Sequence, residues 1–174
     1  PLPPRLWDFI LGYQHRGTFS ELLSYDLATS IGVFSDFEDS ARDGVRFPSH
    51  AVGMLHTSPT LDIVFGADYI DRDDLPLLPV FGLSIHPESH PALRLDLVFP
   101  RPRIDYVLSC RHRVYLAGFM DGGSWDIEFP DQSNDVMTYH DLKAVLGFEL
   151  ADPSGSISAL EFGYVFNRRL QFRD

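Results

Sequence analysis

The stretch HPESHP, residues 86–91, alternates His86, Glu88 and His90, so an extended backbone would project two imidazoles and a carboxylate to one side. That is a donor set a divalent metal accepts. Pro87 and Pro91 make the segment a turn, and no further ligand is readable, so the expectation is a solvated loop without metal. A second constellation is His140 between Tyr139 and Asp141, with Ser158 or Ser124 as a hydroxyl, the residue types of acyl-transfer chemistry. No GxSxG-like elbow accompanies it, and a chain with 7 His and 25 Asp plus Glu assembles such sets by chance. The acidic stretches SDFEDSARDG and DRDD offer carboxylate oxygens to calcium but lack the EF-hand spacing, so they read as turns. Cys110 in SCRHR has basic neighbours that would favour its thiolate, but with no second cysteine an intrachain redox cycle is excluded. The chain therefore reads as non-catalytic, with no cofactor.

Composition narrows the classes further. At 174 residues, 44% hydrophobic and 13% aromatic, the chain is long enough for one domain, residues 1–174, with a real core. A net charge of −11 excludes a basic face for nucleic acid. No apolar run approaches the roughly 18–20 residues of a membrane helix. A transmembrane β-barrel stays open, because its strands carry a far weaker signal.

Period-two alternation recurs from end to end, and helical periodicity is nearly absent. WDFILGYQ, LDIVFGADY, LRLDLVF, SWDIEF, YHDLKAVLGFEL and ISALEFGYVFNRRLQF each set apolar residues against polar or small ones. Turn-rich stretches separate them, giving about eleven strands in meander order. In LRLDLVFPRPRIDYVL, Pro100 and Pro102 cannot donate ladder hydrogen bonds, so PRPR is expected to connect two strands as a hairpin. In the last run only Arg168 breaks the apolar face, near an end where it could snorkel.

Alternation alone fits a soluble acidic β-sandwich acting as a binding module as well as a membrane barrel. Three features favour the barrel. Large aromatics sit near strand ends (Tyr13, Tyr69, Phe99, Tyr106, Phe129, Phe172) as interfacial girdles do, and several runs reach the roughly 9–11 residues of a tilted membrane strand. The polar faces mix small residues with charges of both signs. The expected lipid face is Leu61, Phe65, Leu95, Leu97, Leu146, Phe148, Leu160, Phe162, Tyr164, Phe166 and Phe172. The expected lumen face is Asp62, Asp68, Arg94, Asp96, Asp105, Asp126, Glu128, Asp141, Lys143, Glu149, Glu161 and Arg169, richer in acids than bases, so an open pore would prefer cations.

Five ordered motifs, YIDRDDLPLLPVFGL, LDLVFPRPRIDY, VYLAGFMDGGSW, DVMTYHDLKAVLGFEL and LEFGYVFNRRLQF, resemble a family of uncharacterised outer-membrane β-barrel proteins, a domain of unknown function found mainly in planctomycete-type bacteria. LPPRLWD and GVFSDFE sit in the matching order, so the resemblance spans nearly the whole chain. It implies an up-and-down antiparallel transmembrane barrel in the bacterial outer membrane, with one further strand upstream of Pro1 giving about twelve. It implies no activity. The role expected is structural or anchoring, with room for a small pore; the partners are outer-membrane lipid and envelope proteins or a second copy. One departure is that Arg173 and Asp174 follow Phe172, where such barrels commonly finish on an aromatic residue.

Overall fold

Each alternating run becomes a strand. The computed structural model describes residues 5–37, 42–128, 134–152 and 156–173, so Phe129 and the middle of SDFEDSARDG lie outside the described residues. In chain order the strands are β1 (Trp7–Ser20), β2 (Leu23–Ser35), β3 (Val45–Arg46), β4 (Ser49–Ser58), β5 (Leu61–Tyr69), β6 (Leu77–Ile85), β7 (Leu93–Phe99), β8 (Arg103–Val107), β9 (His112–Glu128), β10 (Asn134–Ala151) and β11 (Ile157–Phe172). No helix occurs among the described residues, and none is long and apolar enough to cross a membrane. PRPR does separate β7 from β8, Pro100 following a cis peptide bond.

The eleven strands form one sheet in the order β1-β2-β4-β5-β6-β7-β8-β9-β10-β11, with β3 paired to β2 beyond the end of β4. Consecutive neighbours are antiparallel, but the sheet closes through a parallel contact of β2 with β9, Ser35 opposite Asp126. That contact seals a ring of seven strands, β2 and β4 through β9, with β1 flanking β2 and the β10–β11 pair flanking β9. The closure differs from the expected cylinder in which the first strand meets the last. The cause is length: β9 pairs with β8 only from Arg113 to Ala117, and its remaining edge runs on to meet the end of β2. The Asp36 N–H donates to the Asp126 carbonyl at 3.2 Å, which reinforces the seam.

The connections define two rims. Residues 21–22, 59–60, 86–92 and 108–111, with Asp152 and Ser156, make a hairpin rim, while 36–37, 42–48, 70–76 and 100–102 lie at the opposite, terminal rim with the first and last described residues. Besides register shifts between Thr18 and Ser20 and between His56 and Ser58, two local features break simple alternation. At Gly122 φ is +142°, and a Cβ there would stand 2.1 Å from the Tyr139 carbonyl oxygen, so glycine is required. Before it, Tyr115 and Ala117 are the buried residues of β9; after it Ser124, Asp126 and Ile127 are. Ile127, expected on the outer face with Trp125, is instead enclosed, at 1% exposure.

The second feature is a β-bulge in β11. Leu142 pairs with Phe166 and His140 with Arg169, so Asn167 (φ 52°) and Arg168 share one position on β10. One extra residue exchanges the faces beyond it. Arg169 falls on the Phe166 face and Phe172 on the Glu161 face, a correction to the continuous alternation read through Arg168.

Burial is inverted. Among the described residues nine hydrophobic side chains are buried against eleven polar or charged ones, while 36 large hydrophobics are exposed. The accessible surface, 11243 Å², exceeds the roughly 8,600 Å² of a compact monomer of this mass. The strands outside the ring account for much of that, since β1 and β11 are exposed along almost their whole length.

Candidate functional site

The inner face gathers the polar side chains, and strand register decides which of them meet. At the hairpin rim β2, β4 and β5 bring Ser24, His56 and Asp62 together. Ser24 lies opposite Met54 and His56 opposite Asp62, so all three share a face and His56 sits diagonally from Ser24. The Ser24 hydroxyl is 2.9 Å from His56 Nε2, and His56 Nδ1 is 2.8 Å from Asp62 Oδ1. Asp62 is 9% exposed, while the His56 side chain retains 35% exposure. A carboxylate only accepts, so Asp62 fixes the proton on Nδ1 and leaves Nε2 to accept from the Ser24 hydroxyl.

Around the same rim the charges pair. Arg94 Nε donates to both oxygens of Asp96, which also accepts from the Ser84 hydroxyl at 2.5 Å. Arg103 donates to Asp105 (2.7 Å) and Glu149 (2.9 Å) and lies 3.7 Å over the Tyr115 ring. Tyr115 in turn crosses Gly147, where a Cβ would collide with its ring at 2.1 Å, and its hydroxyl donates to Glu161. These contacts tie β8, β9, β10 and β11 into one inner-face chain. On the neighbouring wall Asp26 accepts from Gln14 (2.8 Å) and Arg16 (2.9 Å) and lies 3.2 Å from His50.

At the terminal rim the connection 70–76 turns inward. Arg72, 8% exposed, donates to Asp74 through Nε (2.8 Å) and Nη2 (2.6 Å). Asp73 accepts from Arg46 and from Arg173, each at 2.9 Å, and its N–H donates to Ser124 Oγ. A cavity of about 320 Å³ lies here, lined by Asp8, Phe34, Arg46, Arg72, Asp121 and Ser124 among others.

The Arg72 guanidinium holds the Asp74 carboxyl below its ordinary 3.8. A carboxylate depressed in the folded state adds stability that is complete above its unfolded value and is lost as pH falls through the folded one. Thermal melting of the wild type should therefore drop below about pH 3.8, and Asp74→Asn, with no carboxyl to titrate, should lose that part of the acid limb.

Asp62, Asp68, Asp105, Asp126 and Asp141 are buried, and Asp96, Glu128, Lys143 and Glu149 half-buried, whereas Arg94, Glu161 and Arg169 are exposed. Phe65, Leu97, Leu146, Phe148, Leu160, Phe162, Tyr164, Phe166 and Phe172 are exposed, and Leu61 and Leu95 half-buried. The His140 constellation does not assemble. His140 faces Asp74 at 3.5 Å, the Ser124 hydroxyl is bonded to Thr138, and Ser158 pairs with Leu150 far along β11. His86, Glu88 and His90 do not converge, and no group of three or more His, Cys, Asp or Glu suited to a metal occurs among the described residues. The triplet at Ser24 was missed: in HTSPTLD a plain turn at Pro59–Thr60 would set Thr57 against Asp62, and a β-bulge between His56 and Ser58 puts His56 there instead. Comparison with family models, curated proteins and solved structures finds no match.

Proposed function

We propose that the protein is a transmembrane β-barrel of the bacterial outer membrane with a structural or anchoring role, of the kind its motifs resemble. The observation that carries this reading is the inverted burial, eleven enclosed polar or charged residues against nine apolar ones beneath an exterior bearing 36 large hydrophobics. In water that exterior is unfavourable, since contiguous apolar patches on soluble monomers rarely exceed a few hundred Å². In lipid it is the expected face, with Asp62, Asp105 and Asp141 turned to the lumen and Phe65, Leu146 and Phe162 to acyl chains.

The interior favours anchoring over conduction. A ring of seven strands is no wider than the eight-stranded barrels that side chains fill, and its carboxylates are engaged by Arg72, Arg94 and Arg103. Each of β1 and β11 has one unpaired edge among the described residues. Lipid does not tolerate such edges, so this reading requires them to pair in the membrane, with one another or with the upstream strand the resemblance implies. An envelope protein or a second copy is the remaining class of partner.

Gel mobility of the detergent-extracted protein, unheated and boiled, tests the reading. A compact, faster band that shifts on boiling is expected. No shift, together with solubility in plain buffer, would overturn the membrane reading in favour of a soluble binding module.

A further inference from the structure

We infer that Ser24, His56 and Asp62 form a nucleophilic relay that hydrolyses carboxylic esters at the hairpin rim. Among the described residues His56 is the one histidine with a hydroxyl on one ring nitrogen and a carboxylate on the other. His50 meets Asp26 without a hydroxyl, and His90 and His112 meet Ser89 and Ser109 without an acid. The buried serines are engaged elsewhere: Ser84, 1% exposed, donates to Asp96, Ser124 bonds Thr138, and Ser35 accepts from the Phe37 N–H at 3.0 Å. Ser24 is half-exposed, so its hydroxyl is reachable from the rim.

Geometry assigns the roles. Ser24 Oγ attacks the ester carbonyl carbon, and the new O–C bond forms as the hydroxyl proton passes to His56 Nε2. The tetrahedral adduct collapses by breaking its bond to the alcohol, which leaves with that proton, and an acyl group remains on Ser24. Water then attacks the acyl carbon, giving a proton to Nε2, and the Oγ–C bond breaks as Ser24 recovers that proton and the carboxylic acid departs. Asp62 is a positioning residue, holding the imidazole by Nδ1 and favouring the imidazolium formed in each half. Thr18 stands opposite Ser24 in the β1–β2 register and brings a second hydroxyl to the same face.

The surroundings select the substrate. The two-residue turn 21–22 precedes Ser24, and Phe19 and Leu22 stand exposed at that turn, at 71% and 62%. An ester with an apolar acyl chain fits this rim. That chain preference rests on the membrane reading, whereas the relay does not.

The test treats detergent-extracted protein with a fluorophosphonate probe, maps the label by mass spectrometry, and follows turnover of 4-nitrophenyl butyrate and palmitate. Label on Ser24 is expected, with turnover lost at least about a hundredfold in Ser24→Ala and His56→Gln. Ser24→Cys should instead be alkylated at position 24, and Ser89→Ala should hydrolyse both esters like the wild type. Asp62→Asn should lower kcat at least about tenfold while leaving KM within about twofold, the split that a residue positioning His56 produces. Label absent from Ser24 in a heat-modifiable preparation, or undiminished turnover in Ser24→Ala, overturns the relay and leaves the barrel standing. Label on Ser24 in a water-soluble preparation without a heat shift upholds the relay and overturns the membrane reading.

Discussion

Phe162→Arg should stop assembly into lipid vesicles, while Glu161→Gln, one residue away, should leave it intact. Phe162 is 69% exposed and pairs across β10 with Leu146, itself 59% exposed, in a row with Leu160 and Tyr164. An arginine near a bilayer midplane costs about 2–4 kcal/mol. The same exposed substitution on a water-soluble protein changes stability within about 0.5 kcal/mol. The two solvents thus predict different results from one variant. Glu161 accepts from the Tyr115 hydroxyl on the other face, and the glutamine carbonyl oxygen can accept the same bond. Vesicle reconstitution followed by unheated electrophoresis reads the outcome. Equal assembly of Phe162→Arg and wild type would overturn the lipid face.

Strand positions were legible wherever side-chain period and backbone period coincide. LDIVFGADY, LRLDLVF and ISALEFGYVFNRRLQF became β5, β7 and β11 residue for residue. The two prolines at 100 and 102 ended one strand and opened the next, because neither has an N–H for the ladder. Alternation could not reveal closure, which depends on which strand outruns its neighbour. Nothing in SWDIEF announces that Asp126 will meet Ser35 or that Ile127 will be enclosed. The bulge at Asn167 was visible only as one arginine out of step, and assigning that arginine to snorkelling kept Phe172 on the wrong face.

The candidate site was half legible. A regular hairpin about Pro59–Thr60 would set Thr57 opposite Asp62, and only a β-bulge between His56 and Ser58 brings His56 there, within the same hairpin. Ser24 joins them from another hairpin, across a pairing of β2 with β4 that no local pattern states. The constellation that the sequence offers for acyl transfer, and that reads there as a chance set, is instead His140 with its neighbour Asp141. Residues adjacent in a strand point to opposite faces, so adjacency was the wrong criterion there.

Arg103→Met should destabilise the fold by about 2–3 kcal/mol, several times the effect of Arg94→Met. Both arginines pair with an aspartate two residues on, and the sequence RIDY gives no reason to rank Arg103 above Arg94 in RLDL. Burial does. Asp105 is 4% exposed and Glu149 half-buried, so removing Arg103 leaves the two carboxylates only the exposed Arg113, 3.9 and 3.7 Å away, and takes the guanidinium off the Tyr115 ring. Breaking a buried pair by deleting one partner costs about 3–5 kcal/mol. The Arg103 side chain keeps 30% exposure, so water relieves part of that cost. The Arg94–Asp96 pair, at 48% and 22%, sits where exposed ion pairs contribute only about 0–1 kcal/mol. Denaturant titration at neutral pH measures both. Arg103→Met with Asp105→Leu should recover much of the loss, since no unpaired carboxylate then remains at 105, and the double-mutant cycle gives their coupling. A loss below about 0.5 kcal/mol for Arg103→Met would mean that the pair is solvated and that β8 to β11 are held by their ladders alone.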